Sequence, residues 1–476
     1  MKKKLMMVVV FVIVISFMAS CAAPAAPTSA PAAPTTVPTV PAAAPATEAP
    51  ATSAPAAVAP TVTQAPAAVS GGGTKIVFWS HDFPPRQKLD QQYMDKFKQD
   101  NPGVDIEYDI GPGDDVQYLT KLATAMAGGQ GPDCFNLLNF SAGQFMAQNA
   151  VVPLDLSIFG YNSLQDVQNA YVEGTLGGLI KDGKLYAMPS EVSTYSMFVN
   201  KPMFTNAGLD VDKDMPKTWE DMVTLGKKLT KYDGNKLNMR MFEFTYGQAD
   251  DGTSPVLPLA GMAYQLGGTI FNADETESLV NSPTWVKSLQ YMQDWSQKEN
   301  LGDPALTVAT LGFMDGSVGM FLGGSWYGPY LKDQKSPTAD IYVVKPFPRW
   351  KDAVNNTGSF LYAYGEFVNA SSSPEKQKLC MMLIKELSSH PAEYLTQTGL
   401  LQPTIALTST DAFKNVPFLD VFVNDMKGTP YWPTHPKSFE IADSLGRAIQ
   451  RTTLNKMPAQ ESLDTAKKEI DALLKQ

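Results

Sequence analysis

Histidine and cysteine are scarce in this chain, with three of each among 476 residues. His81, His390 and His435 form no sequence cluster with Cys21, Cys134 and Cys380. No structural zinc site, resident metal or cofactor is therefore expected. A surplus of positive charge is also missing. The formal net charge is −10, which argues against a nucleic-acid partner and against a basic membrane-surface patch. The apolar run Leu5 to Met18 has roughly 14 residues, short of the ~20 that a membrane-spanning helix needs. No nucleophile motif or phosphate-binding loop is found, so an enzyme is not expected.

What is present begins with an export pattern. Lys2, Lys3 and Lys4, the apolar run, and then Met18-Ala19-Ser20-Cys21 read as a signal peptide over residues 1–20. Small residues before the cysteine resemble the lipobox of bacterial lipoproteins, with Met18 where leucine is usual. The resemblance implies a lipid on Cys21 and an anchor at the outer face of the cytoplasmic membrane, at the cell surface or in the periplasm. Residues 21–73 are nearly all Ala, Pro, Thr, Val and Ser after the cysteine, with one acid, Glu48, and no aromatic residue. Such a stretch buries too little apolar surface to offset its ordering entropy and reads as a disordered, proline-extended tether.

From Thr74 onward some four hundred residues remain, too many for one core and natural for two lobes. Lys75–Trp79 reads as a short strand. Arg86–Asp100 has Leu89, Tyr93, Met94 and Phe97 at helical spacing, and Val104, Ile106, Tyr108 and Ile110 alternate as a strand. Asp114 or Asp115 can cap a helix ending at Ala127, and a third strand follows at Cys134–Asn139. Further on, Met239–Phe244 reads as a strand. Thr218, Ser282-Pro283 and Ser373-Pro374 mark helix starts, and two helices close the chain. This alternation predicts an α/β fold with a mostly parallel sheet, whose ligands bind beyond the carboxyl ends of the strands. Trp79, His81, Asp82, Asn139 and Phe140 fall there. Cys134 and Cys380 have apolar neighbours and are expected as buried free thiols rather than a disulfide, although an export signal permits a bridge.

Several stretches resemble the extracellular solute-binding protein family 1, to which maltose-binding protein belongs. They are Ala127-Gly128-Gly129-Gln130-Gly131-Pro132-Asp133, Gly183-Lys184-Leu185-Tyr186-Ala187-Met188-Pro189, Leu266-Gly267-Gly268, Phe313 to Met320 with Gly323-Gly324-Ser325-Trp326, and Thr398 to Pro403. The resemblance implies a two-lobe periplasmic-binding-protein fold of the class II type, with an inter-lobe cleft and hinge crossings. Lobe 1 would be residues 74–189 plus 362–402, and lobe 2 residues 190–361 plus 403–476. It further implies a monomer that closes on a small solute, in many relatives a sugar, and hands it to the permease of an ABC importer.

Sugar capture needs aromatic rings to stack on C–H faces and fixed donors and acceptors for hydroxyls. Trp326 matches the family's stacking position and is the leading candidate, with Ser325 beside it. Glu191, Ser193 and Tyr195, spaced two apart, share one face if extended. Ser359 and Tyr362 precede the predicted return to lobe 1. Tyr246 and Asp250 rank lower, and Trp432, between two prolines, could be a second stacking ring or a loop anchor. Two other readings stay open. Tyr195, Tyr246, Tyr327 and Tyr362 could converge on iron, with polyamines and oxyanions as further non-sugar solutes. Glu191 and Asp250 could be the carboxyl pair of a secreted carbohydrate-active hydrolase.

Overall fold

The structure, a computed structural model, describes residues 73–113, 115–244, 255–306 and 308–476. Cys21, the signal peptide, the tether, Tyr246 and Asp250 lie outside these described residues. Ser70–Gln476 forms one compact unit, built on two sheets. Strands β1 (Thr74–Ser80), β2 (Val104–Ile110) and β3 (Cys134–Leu138) come first. A small hairpin of β4 (Ile180–Lys181) and β5 (Lys184–Leu185) follows, closed by Asp182 and Gly183, both at positive φ (49° and 70°). That is the Asp-Gly pair a two-residue turn demands. Then come β6 (Ala187–Ser193), β7 (Ser196–Asn200), the hairpin β8 (Lys231–Asp233) and β9 (Lys236–Met239), β10 (Met320–Gly323), β11 (Tyr342–Lys345) and β12 (Tyr362–Val368).

The first sheet has the order β2-β1-β3-β12-β6. β1 pairs in parallel with β2 and β3, whereas β12 runs antiparallel between β3 and β6. The second sheet is β10-β7-β11, antiparallel throughout. The chain passes from the first sheet to the second between Ser193 and Ser196, slightly beyond Pro189. Helices Pro84–Asp100, Asp115–Ala127, Pro374–Ser388 and Pro391–Thr398 belong with the first sheet's core, around Phe78, Phe135, Leu383 and Tyr394. Helices Val256–Gln265, Pro283–Gln297, Ser438–Thr453 and Ala459–Leu473 build the other large core around Trp219, Trp285, Trp295 and Leu445. Thr218 and Ser373 cap their helices by accepting from the N–H of Asp221 and Lys376, satisfying donors that a helix start otherwise strands.

Three expectations need correction. The sheet expected to be mostly parallel is mixed, with two of its four pairings antiparallel, and the second sheet has no parallel pairing. Cys134 and Cys380 form a disulfide that ties β3 to helix Pro374–Ser388. Apolar neighbours made free thiols plausible, but sequence could not show that a helix 246 residues away would bring the second sulfur over the first. The strand expected at Met239–Phe244 ends at Met239. Beyond it, Arg240 and Glu243 bond their backbone to the Ser317–Met320 segment, with one bridge between Arg240 and Val318, so the buried stretch follows that segment without forming a ladder.

Candidate ligand-binding cleft

The ends of both sheets meet around a cavity of about 550 Å³. From the first sheet, the carboxyl end of β1 delivers His81 and Asp82, the end of β3 delivers Phe140, and the last turns of β6 deliver Glu191. Because β12 is antiparallel, it is its amino end that reaches the same edge, carrying Tyr362 and Tyr364. From the second sheet, the end of β10 leads into Trp326, Tyr327 and Tyr330, and Tyr195 comes from the segment before β7. Strand direction thus decides which residues converge.

A hydrogen-bonded relay crosses the cavity floor. The Trp326 indole N–H donates to the Tyr362 hydroxyl at 3.0 Å, and that hydroxyl donates to Glu191 Oε1 at 3.1 Å. Glu191 is 4% exposed, and burial pushes its carboxyl up to about 7, with the Tyr362 bond and the charge of Arg86 pulling the other way. The Tyr364 hydroxyl donates to Asp115 at 2.8 Å. His81 stacks on Tyr364 at 4.3 Å and its Nδ1 lies 2.7 Å from Asn136 Oδ1. Burial, with Arg86 close by, drives the His81 value well below the ordinary range, so the imidazole is neutral. Arg86 lies behind this wall, ion-paired with Asp90 and hydrogen-bonded through its terminal nitrogens to the Ser80 hydroxyl, the His81 carbonyl and Asn136. Opposite stands an aromatic cluster in which Trp326 meets Phe83, Tyr327 and Tyr330 edge-on at 5.5–6.2 Å.

Of the candidates named from sequence, His81, Asp82, Phe140, Glu191, Tyr195, Trp326, Tyr327 and Tyr362 line this cavity. The other described candidates do not. Trp79 lies under the Lys121 ammonium, 4.3 Å from its ring, because alternation turns it to the sheet face away from Phe78. Asn139 is buried and accepts the Ala363 N–H at 2.9 Å. Ser193 and Ser359 are fully buried, bonded to neighbouring backbone carbonyls. Trp432 is a loop anchor: it stacks flat on Phe140 at 5.1 Å and bonds its N–H to the Ser438 carbonyl. Ser325 donates to the Gly399 carbonyl at 2.8 Å. Gly399 has φ +75°, and a Cβ there would lie 2.6 Å from the Ser325 carbonyl oxygen, so that close approach requires glycine. Ser325 borders a second cavity of about 700 Å³ that holds Phe198, Phe418 and Phe422. The acid of that second cavity, Asp333, is paired with Lys88 at 2.8 Å, so among the described residues it offers no free carboxylate to a ligand.

Sequence reading missed Phe83, Asp115, Tyr330 and Tyr364. Tyr364 shares the strand face of Tyr362 two residues earlier, and Tyr330 lies one helical turn beyond Trp326. Those spacings were signals that could have found them.

Residues 82–388 match the model of the bacterial extracellular solute-binding protein family, and the chain belongs to that family. An arabinooligosaccharide-binding protein of Bacillus subtilis is 25% identical over 290 residues, 59% of this chain and 62% of that one. An sn-glycerol-3-phosphate-binding periplasmic protein of Pectobacterium atrosepticum is 25% identical over 451 residues, 86% of this chain and 93% of that one. Among solved structures, maltose-bound MalE3 of T. maritima superimposes with a TM-score of 0.72 at 18% identity, covering 84% of this chain and 99% of its own. The fold is therefore the α/β periplasmic-binding-protein fold. The protein is an extracytoplasmic solute-binding component of an ABC importer and not an enzyme.

Proposed function

We propose that the protein captures a sugar or oligosaccharide in this cleft and delivers it to an ABC permease. The observation that carries the reading is the relay from Trp326 through Tyr362 to Glu191, in which an indole beside a cavity is positioned by a buried carboxyl from the opposite sheet. Trp326 supplies the stacking face, and Glu191, Asp82 and Asp115 accept from hydroxyls. A volume near 550 Å³ falls in the range of small-molecule sites. A solute bridging both walls favours the closed arrangement by its contacts to each, which is what a transporter would recognise.

In this reading, residues 74–189 with 362–402 move as one lobe and residues 190–361 with 403–476 as the other. Cys21 carries the lipid, and the Ala/Pro/Thr tether spaces the lobes from the membrane. The test is a thermal-shift panel of neutral mono- and oligosaccharides, including arabino-, galacto- and malto-oligosaccharides. A true ligand at a hundredfold its Kd adds about 2.7 kcal/mol to stability. A flat response across the panel sinks the sugar reading.

A further inference from the structure

Relatives of similar identity are named for neutral oligosaccharides and for a phosphate ester, and the charge of the cleft separates the two. We infer that this cleft selects uncharged glycans and excludes anionic ones such as sugar or glycerol phosphates, with Asp82 and Asp115 as the specificity-determining acids. The inference rests on the reading of the cavity as the glycan site.

Three carboxyl side chains face the cavity, and among the described residues no lysine or arginine lines it. The undescribed internal positions, Asp114, residues 245–254 and Thr307, contain no basic residue either. The one titratable cation in the lining, His81, is kept neutral by burial and by Arg86. Arg86 itself is 2% exposed and committed to Asp90, Ser80 and Asn136, so it cannot turn outward to meet a phosphate without stranding a buried acid.

Backbone does not fill the gap. Helix N-termini are the usual phosphate cradle, and four of eight residues or more begin at this cleft. Helix Val256–Gln265 brings the apolar Leu257 to it between Pro255 and Pro258, neither of which has an N–H to donate. Helix Pro84–Asp100 opens with Pro84-Pro85, which have no N–H to donate. Helix Asp115–Ala127 carries Asp115 in its first turn, so its positive end already faces an acid. Helix Asn139–Ala147 presents the apolar Leu138 and Phe140 to the cavity. An entering phosphate would lose water and meet like charge, whereas neutral hydroxyls find acceptors.

The test is calorimetry and thermal shift on the full chain. The neutral probes are maltotriose, arabinotriose and galacto-oligosaccharides. The anionic probes are sn-glycerol 3-phosphate and glucose 6-phosphate. Neutral glycans should stabilise the protein and both phosphates should leave it unmoved. Stabilisation by either phosphate overturns the inference while leaving the carrier reading intact. Silence toward every probe, neutral and anionic, overturns the carrier reading and the inference with it. As a second arm, Asp82→Lys, on the exposed rim, and Asp115→Asn should together create detectable binding of sn-glycerol 3-phosphate. If the double variant folds, as judged by an unchanged far-UV spectrum, and still ignores the phosphate, these acids do not set the selectivity. Asp82→Lys alone, expected to show weaker gain, keeps the arm decisive if the double variant does not fold.

Discussion

The two walls of the cleft differ in kind. The first sheet contributes His81, Asp82, Asp115, Glu191, Tyr362 and Tyr364, a polar wall in which nearly every group is already bonded to a neighbour. The second contributes Leu311, Met314, Phe321, Leu322, Trp326, Tyr327 and Tyr330, and no charged side chain among its described lining residues. The difference teaches a division of labour. On the proposed sugar reading, one wall selects among hydroxyl patterns, because a ligand that displaces its internal hydrogen bonds must replace them. The other supplies contact area that is indifferent to hydroxyl pattern.

The polar wall is also the cross-linked one, since the Cys134–Cys380 bridge lies under its sheet. Replacing both with serine should lower the unfolding free energy by about 2–5 kcal/mol, read from urea denaturation. Unchanged stability would mean that hydrogen bonding alone holds that wall.

On the aromatic wall, Trp326→Ala should weaken glycan binding by about 2 kcal/mol, roughly thirtyfold, measured by calorimetry. Trp326→Phe keeps a ring but not the N–H to Tyr362. It should retain most of the affinity; a loss equal to that of alanine would make the relay, not the stacking face, the important element.

The effect of protons falls on stability rather than on binding. Glu191 is raised from 4.5 to about 7 by burial, and Glu366, behind the same wall, to about 8. Glu243, buried in the other half beside Arg240, rises to about 7. Each folded carboxyl holds its proton where the unfolded chain has released it. Their stability contribution is therefore full below about pH 4.5 and is lost as pH rises through 7 to 8. Melting temperature without ligand should fall across that window, and Glu191→Gln should flatten the profile by an amount on the order of 1–3 kcal/mol. A melting temperature that climbs between pH 5 and 8 would contradict the buried, protonated state.

Much of the local structure was legible beforehand. The helix expected at Arg86–Asp100 starts only two residues earlier, at Pro84, because helical spacing of Leu89, Tyr93 and Phe97 reflects one buried face. The rule that ligands gather at strand ends found His81 and Asp82 directly. It misjudged Trp79 and Asn139, which sit at the same edge but turn inward. Spacing by two placed Glu191, Ser193 and Tyr195 on one face, yet the chain leaves the sheet at Ser193 and only the flanking pair reaches the cavity. Trp432 could be placed in a proline-bounded loop but not oriented, since its partner Phe140 is nearly three hundred residues away in sequence.

By itself, then, the sequence determined what depends on near neighbours: helix and strand periods, caps, the Asp-Gly hairpin, the composition of the amino-terminal stretch, and the ordered motifs of the family. Only the tertiary structure decided which ends of which strands face each other, that Cys134 meets Cys380, and that Trp326, Tyr362 and Glu191 form one relay. Those facts depend on contacts between residues far apart along the chain, and on the antiparallel insertion of β12, a direction that local side-chain pattern does not encode.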